Sequence, residues 1–200
     1  MTPIKNICVF GDSIAYGAWD GEGGWVDLLR KFLHTKTIAS NLKDDYWIYN
    51  LGIPGDTTRW VLKRFAVEYE AREPHVTLLA IGINDAKTNS GITEEEFRVN
   101  LAKIFDQARS CGGRLFFVGL TRVEERKTTP FDVQSRFEND HIARFDTIAE
   151  ALCEEYHVFY IPMHDLLTPA DLADGLHPNS QGHQKMFERV RDTLTAQGIF

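Results

Sequence analysis

The chain has 200 residues, 43% of them apolar and 12% aromatic, enough for one well-packed core. Its net charge of −7 comes from acidic and basic residues mixed along the chain, so no basic stripe exists for a polyphosphate backbone and nucleic acid is not an expected partner. Cys8, Cys111 and Cys153 are odd in number and far apart, which points to small buried hydrophobes in a reducing compartment rather than to disulfides or a thiolate metal site.

The first apolar run, Ile4 to Phe10, is too short for the hydrophobic region of a signal sequence and reads as a strand ending in the turn Gly11-Asp12-Ser13. Trp25, Leu28, Leu29, Phe32 and Leu33 then recur at helical spacing. A second strand, Tyr46 to Leu51, ends in Gly52-Ile53-Pro54-Gly55 and leads to a helix over Trp60 to Tyr69. The third, Val76 to Ile81, ends in Gly82-Ile83-Asn84-Asp85, and a helix follows with Phe97, Leu101, Ile104, Phe105 and Ala108 on one face. The fourth, Leu115 to Leu120, leads into Thr121 to Gln134, which is too polar to pack as core and reads as a surface loop. A helix over Phe137 to Tyr156, a fifth strand over His157 to Ile161 and a last helix over His183 to Leu194 complete the chain.

This alternation predicts an α/β fold, with a parallel sheet covered by helices on both faces. The third and fourth strands are continuously apolar, as strands buried on both faces must be. No linker or repeat divides the chain, so a single domain over residues 1–200 is expected. No run approaches the roughly 18 apolar residues of a membrane span. The expected location is therefore cytoplasmic, without stable membrane insertion.

Ligands bind at the carboxyl ends of the strands in an open α/β sheet, and the small turn-forming residues gather there. Ser13 follows a strand and a glycine-containing turn, a place that presents its hydroxyl at the sheet edge. A serine hydroxyl is a weak nucleophile near neutral pH and requires a base that a carboxylate orients. Asp174-Gly175-Leu176-His177 supplies both within four residues, because Gly175 lets the carboxylate bend back toward Nδ1 while Nε2 faces the serine. Asp12 and Asp171 are rival carboxylates, and His183, inside the last helix, is a rival base better suited to packing. Acyl transfer also needs donors for an oxyanion. The Ser13 and Gly52 N–H groups and the Asn84 carboxamide are the candidates. Taken singly, each of these residues has a plainer explanation as a turn former, cap or surface polar group.

Gly11-Asp12-Ser13, Gly52, Gly82-Ile83-Asn84-Asp85 and Asp174-Gly175-Leu176-His177 together resemble the four ordered blocks of the SGNH, or GDSL-type, hydrolases, and the match spans nearly the whole chain. Ile14-Ala15 departs from the leucine and hydroxyl residue common in the first block. The resemblance implies a three-layer α/β/α flavodoxin-like fold with a five-stranded, mainly parallel sheet, and a serine esterase or lipase-like activity that uses neither metal nor cofactor. It assigns Ser13 as nucleophile, His177 as base, Asp174 as its partner, and Ser13, Gly52 and Asn84 as the oxyanion hole. No G-x-S-x-G elbow, nucleotide-binding glycine fingerprint or H-E-x-x-H cluster competes.

The expected substrate is a small-molecule ester, short-acyl or acetylated, carbohydrate esters included, since no long apolar lid is evident. The alternatives are a lysophospholipase- or thioesterase-like enzyme for longer chains and a non-catalytic binding module. Tyr16 and Trp19 are placed to stack on a sugar or line an acyl pocket, Trp25 and Trp60 to pack a helix core. Arg122, Arg126 and Lys127 stand in a charged loop that an anionic substrate could meet. The sequence does not determine the oligomeric state.

Overall fold

The structure, a computed structural model, describes residues 5–110, 112–133 and 135–200. Ile4, Cys111 and Gln134 of the expected elements lie outside the described residues. Five strands, β1 (Lys5–Gly11), β2 (Tyr46–Gly52), β3 (Val76–Ala80), β4 (Arg114–Val118) and β5 (Phe159–Ile161), form one parallel sheet in the order β2-β1-β3-β4-β5. Helices α1 (Ser13–Tyr16), α2 (Gly24–Ala39), α3 (Thr58–Glu70), α4 (Glu94–Ser110), α5 (Glu125–Thr128), α6 (Asn139–Tyr156) and α7 (Ser180–Ala196) connect and flank them. Helix α2 packs with α7, while α3, α4 and α6 pack in a second row, giving the expected three-layer α/β/α flavodoxin-like fold.

Burial explains the sheet. Ile7 to Phe10 of β1 and Leu78 and Leu79 of β3 are fully buried, whereas the edge strands β2 and β5 keep partly exposed residues. Helix α3 turns Val61, Phe65 and Tyr69, spaced four apart, into the core. Trp60 lies one position off that face, so it is 55% exposed rather than packed in the core, with the Lys63 ammonium 4.0 Å above its ring. Trp25, Cys8 and Cys153 are buried as expected. The segment after β4 corrects the expectation of a polar surface loop. It contains the one-turn helix α5, and Thr121, Val123 and Thr128 are buried, the Thr128 hydroxyl being satisfied by donating to the Phe137 carbonyl at 2.9 Å. Among the described residues, no helix is long and apolar enough to cross a membrane.

The chain order of the strands reverses at β1, with β2 on one side of it and β3 on the other. Residues just past the carboxyl ends of β1 and β3 therefore flank the switch-point crevice where such folds bind ligands. Ser13 and Asn84 follow those two strands.

Candidate active site

Ser13 opens α1, which begins one residue after β1. Asp12 caps this single turn, its Oδ1 accepting the Ile14 N–H at 2.9 Å. A Cβ on Gly11 would stand 2.5 Å from the Ala15 Cβ and 2.7 Å from the Ala80 carbonyl, so only glycine lets α1 fold down against the strands. Burial pushes the Asp12 carboxyl up to about 7, against the pull of the Ile14 N–H and with the Asp85 and Asp56 carboxylates adding to the rise. Asp85 is likewise raised, to about 6, chiefly by burial. Raised carboxyl values mean that the folded chain holds protons the unfolded chain has released, so these two groups favour folding least above about pH 7 and most near pH 4.

The base comes from the loop before α7. Ala173 N–H donates to the His177 carbonyl at 2.8 Å, and Asp174 Oδ1 accepts from the Leu176 and His177 N–H groups at 2.9 and 2.8 Å. Gly175 is required there twice over: its φ is +95°, and a Cβ would meet the Lys127 Cβ at 2.7 Å. Asp174 Oδ2 then stands 2.7 Å from His177 Nδ1, and His177 Nε2 stands 2.9 Å from Ser13 Oγ. Burial opposes ionisation of Asp174, yet the His177 and Leu176 N–H groups and the imidazole outweigh it and hold the carboxyl below its ordinary value. The structure thus brings Ser13, His177 and Asp174 into one hydrogen-bonded line.

The rivals are engaged elsewhere. Asp171 accepts from Lys185 Nζ at 2.7 Å and from the Thr168 N–H and hydroxyl at 2.8 Å each. His183 is fully buried, accepts the Trp25 N–H at 3.3 Å, and burial lowers its imidazole to about 4.

Asn84 reaches the same cavity, of about 640 Å³, as Ser13 and His177. One N–H of its carboxamide is fixed on the Asp56 carbonyl at 3.0 Å, leaving the second for the cavity. Asp85, next in the chain, accepts the Thr58 N–H at 3.1 and 3.0 Å and the Thr58 hydroxyl at 2.5 Å, which pins the turn after β2 to the turn after β3.

Gly52 requires a correction. Its N–H donates to Asn50 Oδ1 at 3.0 Å, while Asn50 Nδ2 bridges to the Ala15 carbonyl at 2.9 Å, so the Gly52 amide is spent on structure and does not line the cavity. Gly55, three residues on, lines it, and its N–H has no hydrogen-bond partner among the described residues. The motif Gly52-Ile53-Pro54-Gly55-Asp56 contained this signal, since a turn ending in glycine before a helix is itself a source of free amides.

Tyr16, Trp19 and Phe131 form an aromatic rim to the cavity, with Tyr16 57% and Trp19 72% exposed. Lys87 lines it, whereas Arg122, Arg126 and Lys127 do not. Arg122 stands 3.8 Å from Asp165, and Lys127 pairs with Glu124 at 2.9 Å. Among the described residues no group of three or more His, Cys, Asp or Glu side chains is arranged to hold a metal ion.

Residues 9–185 match the GDSL-like lipase/acylhydrolase family. Esterase TesA of Pseudomonas aeruginosa is 24% identical over 195 residues, covering 95% of this chain and 88% of that protein. An acetylxylan esterase of Xylanibacter ruminicola is 24% identical over 215 residues, covering 94% of this chain, which spans only 42% of that protein. The crystal structure of the lipase/acylhydrolase from Enterococcus faecalis superposes with a TM-score of 0.78 at 22% identity, covering 96% of each chain.

Proposed function

Because the chain belongs to the GDSL-like lipase/acylhydrolase family, we propose that it is a carboxylic ester hydrolase in which one domain over residues 1–200 works through a Ser13 acyl-enzyme, without metal or cofactor. The observation that carries this reading is the pair of contacts of 2.9 Å and 2.7 Å that join Ser13 Oγ to His177 and His177 to Asp174. His177 takes the Ser13 proton at Nε2 as Oγ attacks the ester carbonyl, and Asp174 stabilises the imidazolium through Nδ1–H. The imidazolium returns the proton to the departing alcohol, and water repeats the cycle on the acyl-enzyme. The Ser13 and Gly55 N–H groups and the free Asn84 N–H stabilise the oxyanion. Asn84→Ala is expected to lower kcat by about two to three orders of magnitude, with KM for p-nitrophenyl acetate changing far less. A loss below threefold removes Asn84 from this role.

The substrate is proposed to be a short-acyl or acetylated ester, carbohydrate esters included. The open aromatic rim of Tyr16 and Trp19 supports this, as does the similarity to an acetylxylan esterase. A fluorophosphonate is expected to label Ser13 stoichiometrically, and turnover is expected to fall from acetyl through butyryl to decanoyl p-nitrophenyl esters. A decanoyl optimum replaces this reading with a long-acyl hydrolase. Absence of labelling and of turnover replaces it with a binding module.

A further inference from the structure

Trp19 meets His177 in a way the catalytic line does not use. Its indole Nε1–H is directed at His177 Nδ1 over 3.1 Å, with the two rings perpendicular and their centroids 6.0 Å apart. Yet Nδ1 is the atom that stands 2.7 Å from Asp174 Oδ2. An indole nitrogen only donates and an ionised carboxylate only accepts, so a single imidazole hydrogen cannot suit both neighbours. When it lies on Nδ1, it serves Asp174, Nε2 accepts from Ser13, and the indole N–H faces another N–H. When it lies on Nε2, Nδ1 accepts from Trp19, and Nε2 donates to Ser13 Oγ instead of accepting from it. That second arrangement is unproductive for attack.

The seat of Trp19 is built. Asp20 accepts the Gly24 N–H at 2.9 Å and the Ser180 hydroxyl at 2.6 Å, which ties the Trp19 turn to the start of α7, three residues past His177. Trp19 itself has φ of 66°, a left-handed conformation that bulky side chains adopt only where surrounding structure holds them. It is also 72% exposed and lines the cavity, so a substrate entering beside Ser13 meets the indole.

We propose that Trp19 is a positioning residue: it restrains His177 through Nδ1 and is displaced when a substrate stacks against its indole. The proposal rests on the reading of His177 as the base for Ser13. A charge-assisted bond to carboxylate is roughly twice as strong as a neutral one, so Asp174 dominates and the restraint is weak enough for stacking to release. Ethyl acetate, which has no group to stack, reports the restraint most directly.

The test is Trp19→Phe, which keeps a ring and removes the donor, with Trp19→Gly, suited to the left-handed backbone, as a second variant. Both are expected to raise kcat on ethyl acetate by up to about twofold, the ceiling when the tautomer that serves Asp174 already predominates and only the remainder can be recovered. The ¹⁵N NMR signals of His177 are expected to move toward the tautomer with hydrogen on Nδ1. Unchanged His177 signals, or kcat at or below the parental value in both variants, overturn the proposal. If a fluorophosphonate fails to label Ser13, the underlying reading fails. If it labels while the Trp19 variants behave as the parent, only the restraint fails.

Discussion

Ser13→Ala is expected to fold normally and to lose about four to six orders of magnitude in kcat on p-nitrophenyl acetate. The folded state loses little, because α1 is held by the Asp12 cap and by the backbone bonds of Tyr16 to Asp12 and Gly17 to Ser13, none of which uses the Ser13 hydroxyl. Removing one hydrogen bond to an imidazole costs about 1 kcal/mol, a small fraction of ordinary domain stability. The chemistry loses its nucleophile outright. Groups that act as one unit give non-additive losses, so His177→Ala in the Ser13→Ala background is expected to lower kcat no further. What remains is the rate that the Gly55, Ser13 and Asn84 donors give to attack by water. Turnover in Ser13→Ala within tenfold of the parent overturns the acyl-enzyme reading, provided its melting curve matches.

The parts of this site that were legible in the sequence are those that one strand and one turn define. Ser13 and Asn84 follow strands whose unbroken apolar runs mark them as central, since Ile7 to Phe10 and Leu78 to Leu79 are enclosed on both faces. Asp174 and His177 lie three residues apart, close enough for their pairing to be local. What escaped depends on side chains from other elements. Gly52 and Gly55 share one turn, and only the Asn50 carboxamide, reaching from β2 to α1, decides which amide is free. The core position expected for Trp60 conflicts with the spacing of Val61, Phe65 and Tyr69, which puts Trp60 off the buried face. The segment after β4 looked polar, but its buried threonine hydroxyl is satisfied by a carbonyl nine residues away. The start of β5 moved to Phe159 because His157 closes α6 in the left-handed region, with φ of 55°.

Asp174→Asn is expected to lower kcat by about four orders of magnitude while leaving the melting temperature within a few degrees. The amide oxygen can keep the two N–H bonds that Oδ1 now accepts from Leu176 and His177, so the loop retains its shape. In place of Oδ2, 2.7 Å from Nδ1, stands an NH₂ that donates. Nδ1 must then accept, the imidazole hydrogen moves to Nε2, and Ser13 loses the acceptor for its proton. The bias is the one that Trp19 exerts weakly, now made dominant. The two substitutions therefore act on one nitrogen in opposite directions, and they should not add. Trp19→Phe is expected to raise kcat in the parent but to leave it unchanged in the Asp174→Asn background, where the amide alone holds Nδ1 as an acceptor. An equal gain in both backgrounds would mean that Trp19 acts on the substrate rather than on His177. A kcat for Asp174→Asn within tenfold of the parent would remove Asp174 from the catalytic line.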